Sequence, residues 1–568
     1  MRTSSRAVSA LATMVLLLAT ALQSVPAGAA TSPAASFYPA VLFGNAATEN
    51  VTRVIGSSGK PDYTILGTTT GALPGKTSAG GTDAFVRRYT SAGQLTRQFG
   101  TAGDDVPYAE AGTVEVGSTT GALPGHTNAG GTDGFVWAFK DGKTAWVTRL
   151  GTPGEDKVVG IAQGRSFWYV VGTTTGTFGG ETSKGGIDYF IAKLSSTGAI
   201  VYIHQLGTAG DDRVVSMSAS TEYVGLCCGY ETSVTVAGDT TGTFPGETSK
   251  GGRDLFTMTT GNSEGGGGLA QFGTAGDDVA IAGDGRTVAG STTGAFPGKT
   301  NRGGTDAFIA QPEWAYEFGS AGDDAATGLA RSSTAYDYPF TYGYLVTGDT
   351  TGTLPGKQSH GGTDAFALRV DLNGTALRWR HQLGSPGSDH AGGIASTSRG
   401  AIYAGQANGE LDGQPALGGG DGYIGRATWT RPDVSLSFTY SGPPHGGQNV
   451  FGGPTIAFYL GNQTRKVSIH ANNDGEQADP QRVLGCKSTT VFTVRYYRSS
   501  TGADVTSSVL AGTYKVTQPD LYSSRGDVTA VLKPKAGVKA GTASYCTVKT
   551  FSTRTPSVYD NVALRVVR

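Results

Sequence analysis

The sequence has few charged residues and few cysteines, and each scarcity argues against a class of function. Only 16% of its 568 residues are charged, and 44 Lys and Arg against 45 Asp and Glu leave a net charge of −1. No basic field is available to hold a phosphate backbone, so we expect no nucleic acid partner. The four cysteines and seven histidines form neither a Cys/His cluster nor an HExxH pair, and zinc chemistry is not indicated.

Glycine is abundant instead, with 90 residues that follow no three-residue period, which excludes a collagen-like helix. Aromatic residues make up 9% of the chain, enough apolar side chain to exclude a disordered protein. A turn-rich all-β protein is the class that remains. Beyond the N-terminal segment, no apolar stretch is long enough to span a bilayer, so we expect no membrane insertion.

The N-terminal segment has the order of a secretory signal peptide. Arg2 and Arg6 precede an apolar run centred on residues 15–18, and small residues follow at 27–30. This pattern predicts a signal peptide over 1–30 and a secreted, extracellular protein. A membrane anchor is the weaker alternative, because the apolar run is short.

The cysteines fit an oxidising compartment. Cys486 and Cys546 both lie in the C-terminal part of the chain, and we predict a disulfide between them. Cys227 and Cys228 are adjacent. A vicinal disulfide, two free thiols and pairing elsewhere all stay open for them.

Two phrases repeat along the chain. The first begins at Gly67, reads GTTTGALPGKTSAGGTDAF, and recurs with its aspartate at intervals of roughly 50 to 66 residues, the period of a propeller or array. The second begins at Phe99, reads FGTAGDD, and interleaves with the first. The aspartates of the first phrase are Asp83, Asp133, Asp188, Asp254, Asp306, Asp364 and Asp421. The carboxylates that end the second are Asp105, Asp156, Asp212, Asp278, Asp324 and Asp389, with Glu49 in a degenerate copy.

Each repeat predicts four short strands, which in the third repeat cover 167–173, 188–194, 199–206 and 214–218. Four strands make one propeller blade. The last repeat lacks a strand after Trp429, and the segment 38–43 can supply it. We therefore predict a seven-bladed β-propeller over 31–431 that is closed by an N-terminal strand, rather than an open array with exposed sheet edges.

The repeat phrases resemble the bacterial beta-propeller repeat family, also called SBBP repeats. The matching elements are GGTDAF at 80–85 and 303–308 and QFGTAGDD at 98–105 and 271–278. The resemblance covers roughly residues 38–430 and implies an exported or surface protein of bacteria, often with several domains. It implies no particular reaction, because propellers carry many unrelated functions.

The repeats stop at Pro432, and alternating apolar residues take over, as at Val434, Leu436 and Phe438. Such alternation is typical of half-buried strands. Several such strands predict an immunoglobulin-like β-sandwich over 432–568, with the Cys486–Cys546 disulfide inside it.

The repeated carboxylates are interpreted as structural. A carboxylate that follows a glycine turn accepts local backbone N–H groups, and a catalytic site needs one distinct repeat rather than seven equal ones. Calcium is the alternative, because paired carboxylates such as Asp104 and Asp105 suit a hard cation. The alternating D-x-D-x-D-G loop of calcium sites is missing, so we expect neither cofactor nor metal.

Positions that vary between repeats carry more information about binding. After the Pro-Gly pair (Gly-Gly in the third repeat) the chain has a polar residue that the fold would place on one face, a candidate rim for a polar ligand such as a glycan. An ordinary solvated rim is the alternative. These residues are Lys76, His126, Glu181, Glu247, Lys299 and Lys357.

Two repeats carry insertions rich in tyrosine. One covers 222–233 and contains Tyr223 and Tyr230; the other covers 332–344 and contains Tyr336, Tyr338 and Tyr342. Aromatic side chains on loops can stack on sugars or contact proteins. Extended strands that pack into the blade are the alternative.

The sequence thus predicts a secreted bacterial binding or adhesion protein, a monomer, that recognises a glycan or an extracellular protein. We identify no catalytic residue, so an enzyme is the less favoured reading. A carbohydrate-active hydrolase or lyase is the first alternative, with Glu181 and Glu247 as an acid/base pair across repeats. A structural cell-surface protein is the second.

Overall fold

The structure, a computed structural model, divides into two compact units, which meet in sequence at Thr428 and Trp429. The predicted boundary at 431/432 lies close by. The signal peptide over 1–30 and the pair Cys227 and Cys228 lie outside the described residues. The structure describes residues 35–568 except 57–59, 91–92, 226–228, 261–267, 333–342, 372–376, 398–399, 430–431, 440–448, 451–455, 461–462, 474–480, 517–525 and 554–558.

The predicted all-β class is confirmed. In the first unit the described strands form seven four-stranded sheets, six of which are built from strands that follow one another in the chain. The first three sheets are β2 (Glu49–Gly56), β3 (Tyr63–Thr69), β4 (Asp83–Thr90) and β5 (Gly93–Phe99); β6 (Asp105–Ala111), β7 (Val114–Thr119), β8 (Asp133–Lys140) and β9 (Lys143–Leu150); and β10 (Asp156–Gln163), β11 (Phe167–Thr174), β12 (Asp188–Ser195) and β13 (Ile200–Leu206).

Three of the other four sheets follow the same order, and the last takes its fourth strand, β1, from the N-terminal end of the unit. They are β14 (Asp212–Gly225), β15 (Gly229–Thr240), β16 (Asp254–Thr260) and β17 (Leu269–Phe272); β18 (Asp278–Asp284), β19 (Thr287–Thr292), β20 (Asp306–Gln311) and β21 (Trp314–Phe318); β22 (Asp324–Ser332), β23 (Gly343–Thr350), β24 (Asp364–Asp371) and β25 (Leu377–Leu383); and β26 (His390–Thr397), β27 (Gly400–Ala407), β28 (Asp421–Trp429) and β1 (Ala35–Phe43).

Every second strand places a glycine directly opposite an aromatic residue of the third strand. A Cβ on Gly172 would lie 2.5 Å from Cζ of Phe190, so only glycine leaves room for that ring. The rings are almost completely buried, and burial of one such side chain stabilises by about 2 kcal/mol. The seven pairs are Gly67–Phe85, Gly117–Phe135, Gly172–Phe190, Gly238–Phe256, Gly290–Phe308, Gly348–Phe366 and Gly405–Tyr423.

The first strands of the seven sheets contact one another in a closed cycle, in the order β2, β6, β10, β14, β18, β22, β26 and back to β2. Strand β1 lies beside β28 and gives the last sheet its fourth strand. Side chains support this junction, since Asp412 Oδ2 accepts a hydrogen bond from the backbone N–H of Ala40 at 2.7 Å. Because the two repeat phrases are out of phase, the sequence predicts that a strand from the N-terminal end completes the last sheet.

In the second unit the described residues form two five-stranded sheets and one short helix, α1 (Thr506–Leu510). One sheet has the order β30 (Asn449–Val450), β29 (Pro432–Thr439), β32 (Arg465–Asn473), β36 (Gly526–Pro534) and β34 (Phe492–Arg498). The other has the order β31 (Ile456–Tyr459), β38 (Tyr559–Val567), β37 (Ala543–Ser552), β33 (Gln481–Leu484) and β35 (Tyr514–Val516).

Both sheets contribute to a single core, in which Ile469 and Leu532 of one sheet cluster with Val483 and Val548 of the other. The predicted disulfide between Cys486 and Cys546 is confirmed, and Cys546 lies in that core. Among the described residues, no helix has the length and apolar character needed to cross a membrane.

Candidate functional site

The two repeated phrases lie at the same end of every sheet. The first phrase connects the second strand to the third, as between Thr69 and Asp83, and the second connects the fourth strand to the next sheet, as between Phe99 and Asp105. We call this end the loop face. The turns that join first to second and third to fourth strands lie at the opposite end, which we call the hairpin face.

The repeated carboxylates hold the turns of the loop face. Each accepts a hydrogen bond from the backbone N–H group four residues earlier: Asp83 Oδ2 from Ala79 at 3.0 Å, and Asp105 Oδ2 from Thr101 at 2.7 Å. Glu49 does the same for Asn45 at 3.1 Å. The other eleven repeat these bonds: Asp133, Asp156, Asp188, Asp212, Asp254, Asp278, Asp306, Asp324, Asp364, Asp389 and Asp421.

The two sets of carboxylates approach each other across a glycine in five of the seven repeats. A Cβ on Gly100 would lie 2.6 Å from Asp105 Oδ2 and 2.7 Å from Asp83 Oδ1. Burial raises the pKa of Asp278 to about 6, and hydrogen bonds from Thr274 only partly oppose this. Among the described residues, no group of three or more Asp, Glu, His and Cys is arranged around a metal position. The calcium alternative stays a prediction.

The buried carboxylates predict that the first unit loses stability as pH rises. Because the folded pKa of Asp278 lies above the ordinary aspartate value of 3.8, the folded state binds more protons between these limits. The free energy of unfolding contributed by this group is highest below pH 4 and falls as pH passes about 6. Urea unfolding at pH 4.5 and 7 measures the effect.

Asp278→Asn cannot titrate at this position, so its free energy of unfolding should fall less across the same range. Asp277→Asn, at the exposed neighbouring carboxylate, is the matched control and should keep the wild-type profile. His381 has the opposite effect on the free energy of unfolding, which its contribution raises as pH rises, because burial lowers its pKa to about 4. Equal profiles for Asp278→Asn and wild type would contradict the assignment.

The six rim residues lie on six different sheets, and each that makes a described contact turns to the outermost strand of its own sheet. Glu181 Oε2 accepts the backbone N–H of Gln205 at 3.1 Å, and Glu247 Oε2 that of Gln271 at 3.3 Å. His126 Nε2 lies 3.2 Å from the carbonyl of Val147. The described contacts bring none of the six together.

Lys299 and Lys357 follow the same pattern. Lys299 Nζ lies 5.9 Å from the ring of Tyr316 on β21. Burial and the neighbouring Arg380 of β25 lower the pKa of Lys357. Lys76 is exposed. The backbone N–H of every rim residue closes a turn onto a carbonyl three residues earlier, as Lys76 does onto Leu73 at 2.8 Å.

One of the two insertions builds a cleft on the hairpin face. Strands β14 and β15 extend past their neighbours, and Tyr223 pairs with Tyr230 across the hairpin, as the strand alternative predicts. Their rings lie 5.1 Å apart, and Tyr230 is 54% exposed. Tyr336, Tyr338 and Tyr342 of the other insertion lie outside the described residues.

The cleft, which we call the hairpin cleft, lies between the third and fourth sheets and has a volume of about 380 Å³. Aromatic residues come from two strands of the third sheet, β11 and β13, as well as from the extended hairpin. Its walls contain Arg165, Ser166, Phe167, Tyr169, Lys193, Tyr202, Thr221, Tyr230, Glu231, Thr232, Val234 and Thr260.

Cations and aromatic faces alternate in the hairpin cleft. The guanidinium carbon of Arg165 lies 4.0 Å from the ring centroid of Tyr230, and Nζ of Lys193 lies 4.0 Å from that of Phe167. Two cations face one carboxylate, Glu231. Such a surface offers apolar rings to C–H groups together with charged hydrogen-bond donors to polar substituents.

The sequence indicates only part of the lining of this cleft. The tyrosines of the insertion stood out because they interrupt the repeat. Arg165, Lys193 and Tyr202 did not, because they occupy ordinary strand and turn positions of the preceding repeat. Only the packing of the third sheet against the fourth places them opposite Tyr230.

Comparison with known proteins reaches only distant structures. No family model and no curated protein matches the chain. It is similar to an acylaminoacyl peptidase of Pyrococcus horikoshii, at 10% identity and a TM-score of 0.33, over 73% of this chain and 60% of that one. It is also similar to a Trypanosoma rangeli sialidase in complex with sialic acid, at 7% identity and a TM-score of 0.26, over 92% of this chain and 87% of that one. These likenesses are too weak to carry an argument about function, and the chain spans only 60% of the peptidase's own length.

Proposed function

We propose that the chain is a secreted bacterial glycan-binding protein, and that the hairpin cleft is its binding site. In this proposal residues 35–428 form a seven-bladed β-propeller closed by β1. Residues 429–568 form an immunoglobulin-like β-sandwich that serves as an accessory module. The repeat phrases support a bacterial origin through their resemblance to SBBP repeats.

The cycle of contacts among the seven first strands supports the propeller. The two sheets that share one core in the second unit support a sandwich. The basic and apolar pattern of residues 1–30 and the Cys486–Cys546 disulfide support export.

The observation that carries the function is the composition of the hairpin cleft. Binding sites for small polar ligands combine apolar walls with a few placed polar groups. Tyr202, Phe167 and Tyr230 supply rings on which a sugar can lie, and the cleft's polar groups reach the hydroxyl and carboxylate substituents. Because Arg165 and Lys193 outnumber Glu231, we infer a preference for acidic polysaccharides.

The test is depletion of the protein from solution by insoluble polysaccharides. We expect cross-linked polygalacturonate to remove more protein than cellulose, and Tyr230→Ala to weaken binding about tenfold, or about 1.4 kcal/mol. Tyr545→Ala is the matched control, because Tyr545 is exposed to a similar degree, at 59%, and lies in the second unit. Released oligosaccharide in the same tubes would replace the binding proposal by the hydrolase or lyase alternative. Equal loss of binding in both variants would show that the hairpin cleft is not the binding site.

A further inference from the structure

The first strand of every sheet contains a β-bulge, and the seven bulges line one cavity. The register of β2 against β3 shifts between Val51 and Arg53, for example, which leaves Thr52 as the extra residue. Bulges re-aim side chains and are frequent beside binding sites. The extra residues are Thr52, Tyr108, Val159, Val215, Ile281, Thr327 and Gly392.

All seven belong to the lining of a cavity of about 680 Å³, to which every first strand contributes. We call it the central cavity. It lies where the cycle of first strands encloses space, whereas the hairpin cleft lies between two neighbouring sheets. Its volume is that of a small-molecule site.

The charge of the central cavity comes from three residues of three different sheets. Arg53 lies on β2, Asp284 on β18 and Arg331 on β22, and among the described lining residues no other Asp, Glu, Lys or Arg is present. All three follow the bulge residue of their strand, so they share the part of the cavity towards the hairpin face. Two guanidinium groups and one carboxylate leave a formal charge of +1.

Arg331 and Asp284 neutralise each other, since Arg331 Nε donates to Asp284 Oδ2 at 2.6 Å. Arg53 is different. Among the described residues, none accepts a hydrogen bond from its guanidinium. Burial lowers the pKa of Arg53, and the neighbouring carboxylate of Asp284 partly opposes this shift.

A planar guanidinium with free donors binds carboxylate and phosphate groups through two parallel hydrogen bonds. We propose that the central cavity binds a small molecule that carries an oxyanion, with Arg53 as its anchor and Arg331, which pairs with Asp284, as a second cation of the same lining. The apolar bulge residues would contact the rest of the ligand. This site is independent of the hairpin cleft.

The experiment titrates the full mature chain with three sugars that differ in charge: glucuronate, glucose 6-phosphate and glucose. Calorimetry should give a dissociation constant at least tenfold lower for one of the charged sugars than for glucose. A response to glucuronate alone assigns a carboxylate ligand, and a response to glucose 6-phosphate alone assigns a phosphate. Equal binding of all three, or binding of none, would overturn the proposal.

Two variants locate the site. Arg53→Met should weaken binding of the charged sugar at least tenfold, while raising the melting temperature of the sugar-free protein because an unpaired cation is removed. Arg286→Met is the control, since Arg286 is exposed and pairs with Glu313 outside the cavity. Unchanged binding in Arg53→Met would overturn the proposal.

Arg331→Met provides a second variant if Arg53→Met does not fold, and it should also weaken binding. Tyr230→Ala separates the two sites: it should leave binding of the charged sugar unchanged while weakening adsorption to polysaccharide. If Tyr230→Ala abolishes binding of both the charged sugar and the polysaccharide, the charged sugar binds in the hairpin cleft. The central cavity proposal is then wrong, and the hairpin cleft proposal is not affected.

Discussion

Replacing Gly172 by alanine is expected to destabilise the first unit by at least about 3 kcal/mol, the upper range for an overpacked site. The added Cβ would lie 2.0 Å from the carbonyl oxygen of Lys157 and 2.5 Å from Cζ of Phe190. One atom belongs to the backbone of the neighbouring strand, and the other to a fully buried ring. Neither can move without separating β11 from β10 and β12.

Gly179→Ala is the matched control for this prediction. Gly179 belongs to the same repeat, but a Cβ there would meet no atom within 4 Å, so its stability should stay within about 0.5 kcal/mol of wild type. Tryptophan fluorescence during urea unfolding reports on the first unit, because five of the six tryptophans, all except Trp429, lie within residues 35–428. Equal midpoints for the two variants would show that the glycine–aromatic pairs tolerate a side chain.

Removing the disulfide with Cys486→Ala and Cys546→Ala is expected to destabilise the second unit by about 4 kcal/mol. The bond closes a loop with a sequence separation of 60, and the cross-link restricts the unfolded chain more than the folded one. Amides of β36 that exchange only through unfolding of this unit should then exchange about a thousandfold faster.

Hydrogen exchange in β12 supplies the internal reference, because β12 belongs to the first unit. Its protection should not change. Faster exchange in both strands would mean that the two units unfold together. Unchanged exchange in β36 would mean that the core around Leu532 and Val548 holds this unit without its cross-link.

The strands of the first unit could be predicted because each repeat phrase contains the glycines and the carboxylate that form a local turn between strands. In the third repeat the predicted strands at 167–173 and 188–194 match β11 and β12 to within a residue. The fourth predicted strand, 214–218, is much shorter than β14, because the insertion continues the hairpin to Gly225. The positions of Tyr223 and Tyr230, seven residues apart, do not reveal by sequence alone whether they pair across a hairpin or lie on a loop.

The candidate sites could be predicted less well, for a geometric reason. Arg53, Asp284 and Arg331 are far apart in sequence and sit at ordinary strand positions; only the cycle of first strands brings them to one cavity. The rim residues were easy to find because they recur in register. That same regularity distributes them around the loop face, one to a sheet.

The pairing of β1 with β28 determines when this protein can finish folding. Strand β1 is synthesised before its partner β28, which ends about 390 residues later, and closing so long a loop is slow. A chain that ends before Asp412 leaves the backbone N–H of Ala40 without its acceptor, and one that ends before Asp421–Trp429 leaves β1 without its partner strand. We therefore expect shortened forms with fewer repeats to be unstable, and the first unit to become resistant to proteases in one late step.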